Sequence, residues 1–269
     1  MNILYVHGYN GSSEGGSYRL LKKHLPKGYQ ILGIDYDQDD CEKALQQIKE
    51  VILEKKIEVV IGCSLGGFLT LLTEGITRYV INPCYHPSIE LPKLGPNIGQ
   101  PAPAPSMIAT YEKLEHKLKK ISTEDKKNIH CYISNNDELF GDKYVEEIIT
   151  DLGKTPKILF STHHLSESAA ETICCLIGLR SSSNKNIEAA LKDAHKYSAC
   201  HDFLIQRSQN CGCFSCNKIF PASSILDYLK ENNNRTAFYP NCFTDAVLPD
   251  SCPYAPTSEF LKKMNKRWF

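Results

Sequence analysis

Val59-Val60-Ile61-Gly62-Cys63-Ser64-Leu65-Gly66-Gly67-Phe68-Leu69-Thr70-Leu71-Leu72 decides how the first two thirds of this chain fold. A β-branched apolar run enters a glycine-rich turn, and an apolar run of helical character leaves it. The turn sets Ser64 between Gly62 and Gly66. Strand, tight turn and helix in that order lift a serine hydroxyl above the edge of a sheet. They also leave the Leu65 N–H and the helix N-terminus facing any negative charge that develops there. A glycine turn that only closes a strand–helix unit has the same local composition, so the flanks carry the reading of a nucleophile elbow at Ser64.

Outward from the elbow, short aliphatic runs at 3–6, 30–34, 58–61, 79–81, 129–133 and 157–160 read as strands. Longer amphipathic runs at 14–25, 39–55, 64–75, 142–152 and 166–177 read as helices. Ala44, Leu45, Ile48, Val51 and Ile52 form one apolar stripe. Repeated strand–helix units predict an α/β fold with a mostly parallel sheet covered on both faces. The stretch 84–106 breaks the rhythm, with prolines at 87, 92, 96, 101, 103 and 105 following Pro83. It is expected to be neither a regular strand nor a helix, and to serve as a long surface loop or as a small lid over a site. Arg180-Ser-Ser-Ser-Asn184 reads as a polar linker, which sets a boundary near 182 and two domains, 1–182 and 183–269.

The composition agrees with two modules. A chain of 269 residues makes one large domain or two smaller ones, and 42% hydrophobic with 23% charged residues is ordinary for a globular protein. Lys plus Arg and Asp plus Glu both number 31, so the net charge is zero, which argues against a chain built to neutralise nucleic-acid phosphates or an anionic membrane. No apolar run approaches the roughly 18–20 residues of a membrane span. The opening Met1-Asn2-Ile3-Leu4-Tyr5-Val6-His7-Gly8 lacks the features of a signal peptide, so a cytoplasmic location is expected. The 12 cysteines are then free thiols or metal ligands rather than a disulfide framework. Half of them fall at 200, 211, 213, 216, 242 and 252, a density that marks the second module.

A serine nucleophile needs a base, and the base a carboxylate to orient it. On a sheet of this kind the order along the chain is Ser, then Asp or Glu, then His. Asp137 follows the strand 129–133, with Glu138 and Asp142 as competitors, and its alternative role is to cap the next helix. His163 and His164 follow the strand 157–160. For the oxyanion, the Leu65 N–H is joined by a donor from the loop after the first strand, Tyr9 first and Asn10 second. Tyr9, Leu65, Tyr85 and Phe140 are expected around the pocket.

Residues 1–180 resemble the α/β-hydrolase superfamily, specifically the small YqiA-like bacterial esterases. The residues that carry the resemblance are His7-Gly8-Tyr9-Asn10-Gly11-Ser12, Gly62-Cys63-Ser64-Leu65-Gly66-Gly67, Ile81-Asn82-Pro83, Asn136-Asp137-Glu138 and His163-His164-Leu165. The resemblance implies hydrolysis of a carboxylic ester or thioester through an acyl-serine, with a small acyl substrate and no catalytic cofactor. It favours His163 as base through the His-x-Leu-Ser spacing, with His164 as the alternate. Related sequences often have Gly or Asn before a single His, so the paired histidine is a departure.

In the second module Cys213-x-x-Cys216 has the spacing of a zinc knuckle, and Cys242 closes Tyr239-Pro240-Asn241-Cys242. A structural Zn²⁺ on Cys213, Cys216 and Cys242 is expected, with Cys211 as fourth ligand and Cys252 as its alternate. The competing expectation is a metal-free turn packed by Phe214, Phe220 and Tyr239. This module resembles a bacterial zinc-ribbon-like family known as "cytoplasmic protein", through Cys211 to Cys216, Ile219-Phe220, Thr236-Ala237, Pro240 to Val247 and the ending Phe260 to Phe269. The family's cysteine is replaced here by Tyr239. The expected role is an accessory binding module for a protein partner. One alternative is an interaction, immunity or defence protein whose hydrolase part is a scaffold. Another is a serine peptidase or amidase on the same fold.

Overall fold

The computed structural model describes residues 1–97, 102–181, 183–231 and 234–269. The chain divides into two compact units, Met1–Pro156 with Phe160–Ala170, and Lys157–Leu159 with Glu171–Phe269. The expected domain boundary, near residue 182, falls on a position outside the described residues.

The strands β1 (Asn2–Val6), β2 (Gln30–Ile34), β3 (Val59–Cys63), β4 (Thr77–Ile81), β5 (Ile129–Asn136) and β6 (Lys157–Thr162) make a six-stranded sheet in the order β2-β1-β3-β4-β5-β6. Every pair from β2 through β5 is parallel. Strand β1 lies between β2 and β3, so the chain first builds outward on one side and then on the other. The crevice beyond the strand ends at such a reversal is where α/β sheets place ligands, and β3 delivers Ser64 there. Val59, Val60 and Ile61 are all fully buried, which is why the centre of the sheet reads as an unbroken apolar run rather than an alternating one.

Helices α1 (Gly16–His24), α2 (Cys41–Glu54) and α3 (Leu65–Leu71) follow the first three strands. The Asp40 carboxylate caps α2 by accepting the Glu42 and Lys43 N–H groups at 3.0 and 3.1 Å. Ala44, Leu45 and Ile48 bury the predicted stripe.

The proline-rich stretch departs from expectation. It forms helices α4 (Pro87–Asn97) and α5 (Pro105–Glu115), and residues 98–101 of it lie outside the described residues. Pro87 and Pro105 begin their helices, where the missing N–H has no intrahelical acceptor to lose. Pro92 and Pro96 are interior to α4 and cost about 3 kcal/mol each by helix propensity. Burial of Leu91 and Leu94, worth roughly 1.5–3 kcal/mol per side chain, offsets much of that. Tertiary packing thus overrides the local breaker. Helices α6 (Thr123–Lys126), α7 (Val145–Leu152) and α8 (Glu167–Leu179) complete this series. Among the described residues no helix is long and apolar enough to cross a membrane.

The second unit carries helices α9 (Asn184–His195), α10 (Asp202–Gln206) and α11 (Ser258–Trp268) with two small sheets. Strands β7 (Asn210–Cys213), β8 (Lys218–Pro221) and β11 (Val247–Pro249) form an antiparallel sheet in the order β11-β7-β8. Strands β9 (Tyr228–Glu231) and β10 (Asn234–Ala237) form a hairpin. A Cβ at Gly212 would meet Leu261 of α11 at 2.7 Å, so this close packing needs glycine. Asp193 is buried but satisfied: Thr172 and Tyr254 hydroxyls each donate to it at 2.7 Å, and Lys196 pairs with it at 2.9 Å.

Candidate active site

Ser64 joins β3 to α3 at φ 54°, ψ −120°. For a residue with a Cβ this conformation costs on the order of 1–3 kcal/mol, and it persists where the surroundings over-determine it. They do so here. Ser64 N–H donates to the Ile81 carbonyl at 3.0 Å, and the Ser64 carbonyl accepts the N–H groups of Cys84 at 3.0 Å and Phe68 at 3.1 Å. Both glycines of the motif are dictated by contact. A Cβ on Gly62 would lie 2.3 Å from the Gly66 carbonyl oxygen, and one on Gly66 would lie 2.1 Å from that of Val6. The neighbouring Cys63 is held in its neutral thiol form, because burial pushes its pKa up to about 12.

Asp137 follows the end of β5 and His163 follows the end of β6. Their side chains meet with Nδ1 of His163 3.0 Å from Oδ1 of Asp137, at 5% and 1% exposure. The same Oδ1 accepts the Leu139 and Phe140 N–H groups at 2.9 and 3.1 Å, so capping and imidazole orientation share one oxygen. Burial opposes ionisation of Asp137, yet the His163 hydrogen bond and charge and the two amides outweigh it, and the pKa lies below the usual carboxylate value. Phe140 packs edge-on against the His163 ring at 5.0 Å.

The competing residues stand elsewhere. Glu138 accepts the backbone N–H of His163 at 2.9 Å and so anchors the histidine loop. The carbonyl of Asp142 accepts the Val145 N–H where α7 begins. His164 is exposed, and its carbonyl accepts the Ser161 and Thr162 hydroxyls at 2.9 and 3.1 Å. Ser64 Oγ makes no hydrogen bond to His163 among the described residues.

Asn82 is the residue that sequence reasoning missed. At φ 44° past the end of β4, it is buried. It donates to Ser134 Oγ at 2.9 Å and to the His163 carbonyl at 3.0 Å, and accepts the Ser134 N–H at 2.7 Å. One amide thereby ties the ends of β4 and β5 to the histidine loop. The motif Ile81-Asn82-Pro83 was visible, but nothing in its spacing indicated that role.

The loop after β1 closes on the elbow, and a Cβ at Gly8 would stand 3.0 Å from Ser64 Cβ. Asn10 N–H is committed to Gln38 Oε1 at 2.8 Å. The N–H groups of Tyr9 and Leu65 have no acceptor among the described residues. His7 braces this loop and stands apart from Asp137: its ring stacks on Tyr36 at 4.6 Å and its carbonyl accepts the Tyr36 hydroxyl at 2.7 Å. Tyr85, expected around the pocket, is fully buried, and its hydroxyl donates to Asp151 at 2.9 Å. Leu65 is likewise fully buried. A separate cavity of about 870 Å³, lined by Leu45, Lys49, Gly75, Lys120, Asp125 and Asn128, contains none of these residues. Gly75 and Asn128 precede β4 and β5, so that cavity opens at the opposite strand ends.

In the second unit the sulfurs of Cys213, Cys216 and Cys242 lie within 4.8 Å of one another. Cys211 and Cys252 stand outside this group among the described residues. Cys211 is two residues before Cys213 on β7, a separation of roughly 6.5 Å along an extended strand. The Cys252 thiol donates to the Tyr254 carbonyl at 3.2 Å.

Three solved structures show what the chain is similar to. Est1E from Butyrivibrio proteoclasticus has a TM-score of 0.48 at 16% identity, over 68% of this chain and 88% of that one. An esterase from Exiguobacterium antarcticum, EaEST, has a TM-score of 0.49 at 14% identity, over 68% and 92%. A protein from Agrobacterium vitis S4 assigned as a hydrolase has a TM-score of 0.50 at 11% identity, over 65% and 86%. At such identities the likeness bears on the fold alone, a largely parallel six-stranded α/β sheet. No curated protein matches the sequence. The sequence of β1 through α7, which supplies Ser64, Asn82 and Asp137, matches the model of one family over residues 2–150, and the chain belongs to that family, the Uncharacterised protein family (UPF0227).

Proposed function

We propose that the chain is a serine hydrolase that cleaves a carboxylic ester or thioester through an acyl-enzyme on Ser64. The observation that carries this reading is the buried Asp137–His163 pair at 3.0 Å, formed at the same strand ends as the elbow. Ser64 Oγ attacks the acyl carbonyl and gives its proton to Nε2 of His163. Asp137 holds Nδ1–H and so sets tautomer and orientation. The Tyr9 and Leu65 N–H groups donate to the tetrahedral oxyanion, each such donor being worth on the order of 10²–10³ in rate. Collapse breaks the bond to the alcohol or thiol, which leaves with the proton from His163. Water then attacks the acyl-serine, His163 takes the water's proton and returns it to Ser64, and the acid departs. The preference for an ester over an amide follows the resemblance of the motifs.

The test is labelling with a fluorophosphonate probe, wild type beside Ser64→Ala. The wild type should label and the variant should not, with hydrolysis reduced by on the order of 10⁴–10⁶. Labelling of the variant at the wild-type rate, or no labelling of folded wild type, overturns the reading.

A further inference from the structure

Two four-residue turns in the second unit end alike, each followed by a residue of positive φ. Cys213-Phe214-Ser215-Cys216 is followed by Asn217 at φ 61°, and Tyr239-Pro240-Asn241-Cys242 by Phe243 at φ 52°. A left-handed residue directly after the last cysteine turns the chain back on itself in each case. Phe214 N–H donates to the Ala246 carbonyl at 2.9 Å. The second turn is closed by Phe243 N–H on the Tyr239 carbonyl at 2.9 Å and Tyr239 N–H on the Thr244 carbonyl at 3.0 Å. The four-residue spacing sets Cys213 and Cys216 at the ends of one turn, and Tyr239 and Cys242 at the ends of the other.

Three of those four positions hold thiols. Sγ of Cys213 and Cys242 are 3.5 Å apart, and all three sulfurs lie within 4.8 Å. Tetrahedral thiolates on one zinc, at about 2.3 Å each, stand roughly 3.8 Å from one another, so the spacing suits a single ion. Cys216 and Cys242 are only half-buried, which leaves an approach open. The fourth position is different in kind. The Tyr239 hydroxyl accepts from Asn241 Nδ2 at 2.9 Å, and its ring stacks on Phe220 at 4.1 Å. Thr244 Oγ1 lies 3.2 Å from Cys242 Sγ and 3.5 Å from Cys213 Sγ. A neutral hydroxyl there donates to thiolates rather than replacing one.

We propose that Cys213, Cys216 and Cys242 hold one thiophilic divalent cation of the zinc class, with the fourth coordination position open to a small exogenous ligand. Binding releases the three thiol protons to solvent and leaves one net negative charge, which the Thr244 hydroxyl moderates by hydrogen bonding to sulfur. A closed structural site takes four protein ligands, whereas a site with a vacant position exchanges ligands.

The experiment uses the full chain, reduced and stripped with a chelator, and titrates it with Zn²⁺ and separately with Co²⁺. One ion per chain should bind, and imidazole should shift the visible spectrum of the Co²⁺ form. Cys216→Ser and Cys242→Ser should each weaken binding roughly 100-fold, while Cys211→Ser and Cys252→Ser should leave it unchanged. Tyr239→Cys, which restores a fourth thiol, should tighten binding and abolish the imidazole response. Absence of uptake, uptake indifferent to Cys216→Ser and Cys242→Ser, or a Co²⁺ spectrum insensitive to imidazole overturns the proposal. Fluorophosphonate labelling of Ser64 is independent of every one of these outcomes.

Discussion

Asp137 and His163 are 26 residues apart in sequence and come from the ends of two different strands. Cys213 and Cys216 share a single turn, and Cys242 comes from another turn that also ends before a residue of positive φ. The two regions gather their reactive groups by different means. At the first, nothing local to Asp137 directs it toward His163; the sheet order and the anchors Asn82 and Glu138 do. At the second, the turn geometry itself sets two of the three thiols, and a tyrosine at position 239 in place of a fourth thiol changes what the site can be. A site assembled by a sheet is sensitive to its supports, and a site assembled by turns is sensitive to its ligands.

The largest expected effect sharpens the first half of that contrast. His163→Ala should cost on the order of 10³–10⁴ in hydrolysis, while His164→Ala stays within a few-fold, both read from initial rates on an activated ester. Equal losses in the two variants would mean that the pair at 3.0 Å does not define the base.

Asn82→Ala asks whether the supports matter as argued. It leaves the Ser134 N–H and the His163 carbonyl without their buried partner, at about 1–3 kcal/mol each. A loss of about 2–4 kcal/mol in a denaturant titration is expected, together with a lower rate. A loss under about 0.5 kcal/mol would show that the histidine loop is held by other contacts.

The smallest effect is the acid limb of stability. The folded-state pKa of Asp137 lies below its unfolded value, so its contribution is fully present above about pH 3.9 and fades as pH falls through the lower folded value. Asp137→Asn should therefore lose less stability than wild type between about pH 4 and 2. Identical acid titrations of the two proteins would remove Asp137 from the ionised groups that support the fold.

Much of the first unit was legible because its signals are local and repeated. Each of the six expected strands has its counterpart, since buried parallel strands are apolar runs bounded by turn residues. Ser64, Asp137 and His163 were singled out by position, as side chains just past strand ends, and the structure pairs the last two. The prolines at 87, 92, 96 and 105 misled, because helix termini and buried leucines outweigh a local breaker. Tyr85 misled for a related reason: an aromatic residue just past the end of β4 is packed into the core with its hydroxyl on Asp151. Asn82 went unread because a polar side chain that binds a hydroxyl, a backbone carbonyl and an amide has no spacing of its own to betray it.

Read alone, the sequence determined the alternation of strand and helix, the elbow at Ser64 and the knuckle spacing of Cys213 and Cys216. All are set by side-chain period and by turns a few residues long. Only the tertiary structure decided between His163 and His164 as the partner of Asp137, left Cys211 and Cys252 outside the thiol group that Cys242 joins, and made a helix of the chain around Pro92. These outcomes depend on contacts between residues far apart in sequence, whose energies enter only once the chain has closed on itself.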